Sequence, residues 1–304
     1  MRETRYYQVA EHAFSVSGES EFFALMTNYE PFEVKQGDRL FDLKKGDRSV
    51  FATKLEIMRP VPLFHVPMIH EELRQEDEGQ EIICGRTDAG EVVFEFRWWK
   101  ETAGWLVCTD RYHDGQLLMT GKHTKMAIDN ALMVLFALAT ADKGTVLFHA
   151  AVVSHQGKGY MFLGPSGTGK STHARLWLKY IEDTELVNDD NPVVRISDDN
   201  IMVYGSPWSG KTPCYRNVNY PIGAIVLLSQ APYNKIQRMG GIHAYASLME
   251  SISGKRWDSR IADGLHQTQN ALVMNVPMWH LECLPDEEAA QTCFSTIRSD
   301  DNRR

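Results

Sequence analysis

The chain has 304 residues, a hydrophobic content of 43%, a formal net charge of −8 and a pI of about 5.8. This length predicts one or two domains with a substantial core, and the acidic balance argues against non-specific nucleic-acid binding. The amino terminus is charged and has no signal-peptide core, and the longest apolar run, Ala131 to Ala139, is too short for a membrane span. The five cysteines show no C-x-x-C spacing, which indicates neither a disulfide framework nor a zinc site and favours a reducing cytoplasm.

Residues 1–120 are predicted to form a β-rich amino-terminal domain. Short runs of strand composition alternate with turn signals such as Gln36-Gly37-Asp38, a pattern typical of a twisted antiparallel sheet. The charged stretch from His70 to Gln80 is expected to be an exposed loop or helix. The pair Trp98-Trp99 favours packing in a core or at a domain interface over a stacking platform for a ligand.

A long helix is predicted from Thr124 to Thr140, with a broad apolar stripe. We expect this helix to be buried against a second domain, residues 121–304, with the boundary near Gly121. Two strands follow, Thr145 to Val153 and a second that ends at Leu163. The turn between them is so short that the two strands must be antiparallel neighbours.

The central motif is Gly164-Pro165-Ser166-Gly167-Thr168-Gly169-Lys170-Ser171, which fits the phosphate-loop pattern G-x-x-x-x-G-K-[ST]. An apolar strand precedes it and a helix is predicted to follow it. Glycines allow the backbone to point successive N–H groups inward, and the helix amino terminus adds further N–H groups and a positive dipole. Lys170 is then expected to reach the β- and γ-phosphates, and the Ser171 hydroxyl to ligate Mg²⁺. The pattern therefore predicts binding of ATP and Mg²⁺.

A second candidate site element is the pair Asp189-Asp190, which ends a short apolar strand after the phosphate-loop helix. Because neighbouring residues of a strand point to opposite faces, one carboxylate is expected to serve Mg²⁺ and the other to accept a hydroxyl proton; a solvated turn is the alternative. The pair Asp198-Asp199 lies between two predicted strands and indicates a hairpin turn. Lys211 and Arg216 are either contacts for a phosphate or substrate anion or ordinary surface charges.

These segments, together with a histidine-bearing strand that includes His149, resemble the catalytic domain of HPr kinase/phosphorylase over about residues 121–285. They are more distantly similar to ATP-dependent phosphoenolpyruvate carboxykinases. The resemblance implies a mixed α/β fold with a phosphate-loop core. It also implies roles for specific residues: catalysis by Lys170, Asp189, Asp190 and His149, metal binding by Ser171, Asp189 and Asp190, and nucleotide binding by Gly164, Pro165, Ser166, Gly167, Thr168, Gly169, Lys170, Ser171 and Thr172.

The function expected from the sequence is ATP- and Mg²⁺-dependent transfer of the γ-phosphoryl group to a serine-type hydroxyl, on a protein or a small molecule. The reverse, phosphorylase direction stays open. An alternative of another class is a nucleotide-binding regulator that docks a partner through the amino-terminal domain and has little or no kinase activity. Carboxykinase chemistry is disfavoured because we find no arginine cluster for a keto acid. We expect no nucleic-acid or membrane partner, and the resemblance suggests a homo-oligomer.

Overall fold

The computed structural model describes residues 1–35, 51–58, 69–197, 200–210 and 212–301. The chain is a mixed α/β protein with more strand than helix and two mixed sheets. It divides into two compact units, Met1–Thr140 and Ala141–Arg304. The sequence places this boundary near Gly121 instead. The predicted turn at Gln36-Gly37-Asp38 lies outside the described residues.

The first unit contains an eight-stranded sheet of described strands in the order β1-β2-β3-β8-β7-β6-β5-β4. Its elements are β1 (Arg2–Val9), β2 (His12–Glu19), α1 (Ser20–Phe23), a 3₁₀ helix (Thr27–Phe32), β3 (Phe51–Ile57), β4 (His70–Asp77), β5 (Gln80–Arg86), β6 (Val92–Trp98), β7 (Glu101–Cys108), β8 (Asp114–Met119) and α2 (Thr124–Thr140). Successive hairpins make most neighbours antiparallel, but β3 lies parallel to both β2 and β8. The expectation of a purely antiparallel sheet is therefore wrong at its centre.

The helix α2 has the bounds that the sequence predicts, but it packs against the first sheet, at β3, β6, β7 and β8, whereas the sequence predicts that the second domain covers it. Gly115 in β8 explains the fit, because a Cβ there would lie 3.0 Å from the Leu135 side chain. The helix and its sheet share one core, which places the domain boundary after Thr140. Thr124–Lys143 also has the length and apolar composition of a helix that could cross a membrane, yet 67% of its apolar stretch is buried inside the structure, as in the core helix of a soluble protein.

Two local predictions for the first unit are wrong in part. The charged stretch from His70 forms strand β4, which lies at the end of the strand order and has every residue exposed. Its charges suit an edge strand, where they hinder pairing with other chains. Of the two placements predicted for the tryptophans, the core is wrong, since Trp98 is 37% and Trp99 71% exposed, and the domain interface stays a prediction. Trp99 lies in a two-residue hairpin loop with a φ of 46°, and its ring covers Gly79.

The second unit is built on nine strands and four α-helices among the described residues. They are a 3₁₀ turn (Ala141–Lys143), β9 (Thr145–Leu147), β10 (Ala150–His155), β11 (Lys158–Leu163), α3 (Lys170–Tyr180), β12 (Thr184–Asp190), β13 (Val193–Ser197), β14 (Asn200–Tyr204), β15 (Asn219–Gln230), β16 (Lys235–Met239), α4 (Gly241–Ser251), α5 (Ser259–Asn275), β17 (Met278–Cys283) and α6 (Glu287–Asp301). The strand order is β12-β10-β11-β15-β14-β13-β9, and β17 pairs with β15 and β16.

The predicted tight hairpin is confirmed, because β10 and β11 pair antiparallel from Ala151 opposite Phe162 to His155 opposite Lys158. The single strand predicted from Thr145 to Val153 is wrong, since this stretch divides into β9, which pairs with β13, and β10, which pairs with β11 and β12. Strands β11, β15 and β17 then run parallel to one another. The hairpin β13–β14 also forms, with Ser197 opposite Asn200, whereas Asp198-Asp199 lies outside the described residues. An antiparallel strand inserted beside the parallel ones makes this sheet mixed.

Helices α3 and α6 cover one face of this sheet and enclose an apolar cluster of buried side chains. Trp177 of α3 is fully buried and contacts the rings of Tyr160, Phe162 and Phe294. Burial of an apolar side chain of this size stabilises the fold by about 2–3 kcal/mol. The helix that follows the glycine loop is thus fixed to the sheet, and its amino terminus is held at the end of β11.

Candidate functional site

The glycine-rich segment connects the end of β11 to the first residue of α3, as the sequence predicts. Its backbone needs glycine at three positions, since Gly164, Gly167 and Gly169 have φ values of 147°, 81° and 102°. At Gly164 space is also limiting, because a Cβ would lie 2.6 Å from Thr168 Oγ1. Thr168 closes the turn by donating through its N–H and its hydroxyl to the carbonyl of Pro165, at 3.2 and 2.7 Å.

Lys170 is the first residue of α3 and its side chain turns back into the loop. Its ammonium Nζ donates to the carbonyl oxygens of Gly164 and Pro165, at 2.9 and 3.2 Å, and the residue is 8% exposed. A buried ammonium needs such acceptors to offset its desolvation. The loop therefore encircles a positive charge at a helix amino terminus, where N–H groups and dipole both favour an anion. Ser171 and Thr172 follow in the first helical turn and are half-buried.

The aspartate pair ends β12, which pairs antiparallel with β10. Asp189 lies opposite Ala151, and Asp190 lies opposite Ala150. Ala151 belongs to the cluster under α3, so Asp189 is on the face of the sheet that carries α3 and Asp190 is on the other face. The two carboxylates therefore diverge, as the sequence predicts. Asp189 is 5% exposed, and its Oδ1 is buried without a hydrogen-bond partner in the described structure.

His149 immediately precedes β10, and its N–H donates to the Ser251 carbonyl at 2.7 Å. Its Nδ1 lies 3.1 Å from Asp190 Oδ1. The second oxygen of Asp190, Oδ2, accepts from the Asn191 amide at 2.8 Å. Both members of the pair remain open to solvent, with side-chain exposures of 38% for His149 and 31% for Asp190. A group that approaches from solvent can reach them.

The register brings these parts to one edge of the sheet. Because β10 pairs antiparallel with both β11 and β12, its first residue lies beside the last residues of the other two strands. The start of β10 carries His149, the end of β11 leads into Gly164, and the end of β12 carries Asp189-Asp190. Two strand spacings, about 10 Å, separate β11 from β12. This span suits a ligand that extends from the loop to the carboxylates.

The basic residues downstream divide differently. Arg216 donates to the carbonyl of Leu186 and to Glu185 Oε2, both at 2.6 Å. Its guanidinium is therefore paired with residues of β12. Lys211 lies outside the described residues.

Sequence reasoning missed several side chains of this region. Asn188 and Ser206 are both fully buried and hydrogen-bonded to each other beside the aspartates. Gln230, at the end of β15, donates to the carbonyl of Gly167 at 3.2 Å. The adjacent Ser229 hydroxyl lies 2.8 Å from His280 Nε2. The one signal in the sequence was the polar Asn188 at the end of an apolar strand. A buried side-chain amide is normally hydrogen-bonded, so this residue indicated a polar partner nearby.

Helix α3, which follows the glycine loop, also carries a buried histidine, His173, which is 3% exposed. Burial lowers the pKa of His173 to about 4, so its ring is neutral at pH 7. Its Nε2 accepts from Trp177 Nε1 at 3.1 Å, and its ring lies edge-to-face with Phe162 at 4.7 Å. His173 therefore stabilises the packing of α3 on the sheet, and its buried ring is not accessible to a ligand.

The side-chain oxygen atoms at this site determine whether a divalent cation could bind there. Among the described residues, no group of three or more His, Cys, Asp or Glu side chains is placed to hold a metal ion. Mg²⁺ nevertheless binds proteins through one or two carboxylates together with phosphate oxygens and water. The buried, unpartnered Oδ1 of Asp189 and the hydroxyl of Ser171 are oxygen donors of this kind. The residues present therefore fit Mg²⁺ bound together with a phosphate ligand.

Comparisons with known proteins add a family and distant structural likenesses. The Hpr(Ser) kinase/phosphatase from Coxiella burnetii matches with 9% identity and a TM-score of 0.32, over 52% of this chain and 97% of that chain. A likeness of that size carries no functional conclusion. No curated protein matches the sequence. The family model for SynChlorMet cassette protein ScmC matches residues 117–284, a region that contains the glycine loop, His149 and both aspartates. Since this match spans more than half of the 304 residues, the chain belongs to the ScmC family.

Proposed function

We propose that the protein is an ATP- and Mg²⁺-dependent phosphotransferase that acts on a hydroxyl group. The observation that supports this most strongly is the shared sheet edge. There the loop around Lys170, at a helix amino terminus, lies at the same end of the strands as Asp189, Asp190 and His149. Loops of this kind bind phosphates, and paired carboxylates nearby supply what phosphoryl transfer requires.

In this proposal the loop from Gly164 to Thr172 binds the β- and γ-phosphates through its N–H groups and Lys170. Asp189 and the Ser171 hydroxyl hold Mg²⁺, because the Asp189 oxygen is buried and has no other partner in the described structure. Bound Mg²⁺ neutralises negative charge on the phosphates. Lys170 stabilises the charge on the oxygens of the transferring group.

Asp190 accepts the proton of the acceptor hydroxyl, since it is the more exposed of the two carboxylates. The acceptor oxygen forms a bond to the γ-phosphorus as the bond from that phosphorus to the β–γ bridging oxygen breaks. ADP leaves with the electron pair of the broken bond. His149, 3.1 Å from Asp190, orients the carboxylate that takes the proton. The Asp190 carboxylate is thus held in an orientation in which it can act as the general base.

We propose that the acceptor is a serine-type hydroxyl on a protein or a small molecule. We also propose a cytoplasmic location, self-association, and no nucleic-acid or membrane partner. The net charge of −8 supports the view that nucleic acid is no partner.

The proposal is tested by measuring ADP release from ATP and Mg²⁺ with candidate hydroxyl acceptors, first free serine and then serine-containing proteins. Acceptor-dependent ADP release with matching phosphate on the acceptor supports phosphotransfer. Tight Mg²⁺-dependent nucleotide binding with no transfer to any acceptor contradicts it and favours the nucleotide-binding regulator. The matched variant Lys170→Ala is expected to abolish transfer.

A further inference from the structure

The segment Gly205–Gly210 lies against the end of β12, where the two aspartates are. We propose that Asn188 and Ser206 are positioning residues, which clamp this segment to β12 and thereby fix the directions of the Asp189 and Asp190 carboxylates. The inference rests on the proposed function. It concerns how the two carboxylates are oriented towards a bound metal ion, and not which acceptor receives the phosphoryl group.

The clamp is a closed hydrogen-bond network. Asn188 Nδ2 donates to Ser206 Oγ at 3.1 Å and to the Trp208 carbonyl at 3.2 Å. Asn188 Oδ1 accepts from the Asp190 N–H at 3.1 Å, so the amide joins the segment to the backbone of the aspartate. Ser206 Oγ accepts from the Trp208 N–H at 3.1 Å and donates to the Asn191 carbonyl at 2.6 Å. Both side chains have 0% exposure.

The polar groups of this network are hydrogen-bonded to one another, and none of them donates a hydrogen bond to Asp189 Oδ1. Both amide hydrogens of Asn188 and the single hydroxyl hydrogen of Ser206 have acceptors within the clamp. None of these hydrogens is directed to Asp189 Oδ1, which is buried and has no hydrogen-bond partner in the described structure. A buried carboxylate oxygen without a hydrogen-bond donor destabilises the fold unless a cation binds in the position that a donor would otherwise take. The clamp therefore holds Asp189 rigidly while its oxygen stays available to a metal.

Gly210 closes the segment onto the aspartates. Its N–H donates to the Asp189 carbonyl at 2.9 Å, and a bridge joins Ser209 to Asp190. A Cβ at position 210 would lie 2.8 Å from the Asp189 carbonyl oxygen and 3.1 Å from Asp190 Cβ. Gly210 is not among the glycines with a positive φ, so close approach and not backbone conformation requires glycine here. The segment is therefore packed closely on the backbone of Asp189 and on the side chain of Asp190.

A clamp made only for stability would not need these polar groups. Two apolar side chains of similar volume would fill a fully buried site without the cost of satisfying an amide and a hydroxyl. Residues that orient metal-ligating carboxylates, in contrast, are commonly hydrogen-bonded polar groups of this kind. The position of the network at Asp189-Asp190 thus favours a positioning role.

The test is a Mg²⁺ titration of ADP binding, followed by calorimetry, with the full chain. For Ser206→Ala we expect Mg²⁺-free ADP affinity close to that of the wild type, and a Mg²⁺ concentration for half-maximal tightening that rises about tenfold or more. The control Ser247→Ala removes another buried serine hydroxyl, one that donates to Ala244 in α4, and should leave the Mg²⁺ dependence unchanged.

A Ser206→Ala protein with wild-type Mg²⁺ dependence would overturn the inference while leaving the proposed function in place. A wild-type protein that binds neither ADP nor ATP, with or without Mg²⁺, would overturn the proposed function and this inference with it. If Ser206→Ala does not fold, Gly210→Ala carries the test, because it displaces the segment from Asp189 without removing either side chain of the clamp. Wild-type Mg²⁺ dependence in that variant would equally refute the clamp.

Discussion

His149 Nδ1 lies 3.1 Å from Asp190 Oδ1, at the sheet edge where the glycine loop also begins. Asn191 holds the second carboxylate oxygen at 2.8 Å. Asp190 is thus oriented from two sides, yet 31% of its side chain is exposed. This combination of fixed direction and access suits a group that takes a proton from an incoming hydroxyl.

Replacement of Asp190 by Asn keeps the shape of the side chain and removes its charge. We expect Asp190→Asn to lower the rate of phosphoryl transfer by about 10²- to 10⁴-fold. The free energy of unfolding should change by less than about 1 kcal/mol, because ion pairs this exposed contribute little to stability. ADP release and thermal denaturation measure the two quantities.

The matched control for Asp190→Asn is Asp142→Asn. Asp142 pairs with Arg260 at 2.6 Å in the same unit and has a similar exposure, 33%. This variant should keep the wild-type rate. A wild-type rate in Asp190→Asn would show that Asp190 is not the proton acceptor.

The conformation of the glycine loop gives a second prediction. Gly167 has a φ of 81°, and no atom lies within 4 Å of a Cβ placed there. Alanine at 167 therefore costs only the strain of the left-handed region, about 1–2 kcal/mol of unfolding free energy. Any reshaping of the loop would also misdirect its N–H groups, so ATP affinity should fall at least about tenfold, equivalent to 1.4 kcal/mol.

Gly90 supplies the control for that experiment. It lies in the hairpin between β5 and β6 with a φ of 85°, and a Cβ there would also meet nothing within 4 Å. Gly90→Ala should lose similar stability and keep wild-type ATP affinity. Equal ATP affinities in the two variants would contradict a role of the loop in nucleotide binding.

Sequence reasoning captures the local parts of this site because their signals are local. The tight β10–β11 hairpin, the glycine loop into α3 and the diverging aspartates each follow from a few neighbouring residues. Helix α2 is buried as predicted, but against the first sheet, since an apolar stripe predicts burial and does not indicate which surface covers it. The bond between Asn188 and Ser206 joins residues 18 positions apart, and no local pattern predicts it.

The buried histidine of α3 predicts a pH dependence of stability. Burial lowers the pKa of His173 to about 4, below its unfolded value of about 6.5. Between these two values the unfolded chain binds a proton that the folded protein does not, so stability falls as the pH decreases from 6.5 to 4. This one group should account for a loss of about 3 kcal/mol over that range.

Urea denaturation at several pH values, compared between the wild type and His173→Gln, tests this. Glutamine keeps an acceptor for Trp177 Nε1 and cannot titrate, so the variant should lose much less stability towards acid. The exposed His243→Gln should behave as the wild type. A His173→Gln curve parallel to the wild-type curve would refute the assignment.

Binding of Mg²⁺-ATP is the claim on which the rest depends, and calorimetric titration tests it directly. Wild-type protein should bind ATP more tightly with Mg²⁺ than without it. Lys170→Ala removes the ammonium at the centre of the loop and should abolish binding, whereas Lys179→Ala, on the exposed side of the same helix, should not. ATP binding that is equal in all three proteins, or absent from the wild type, would contradict the proposed site.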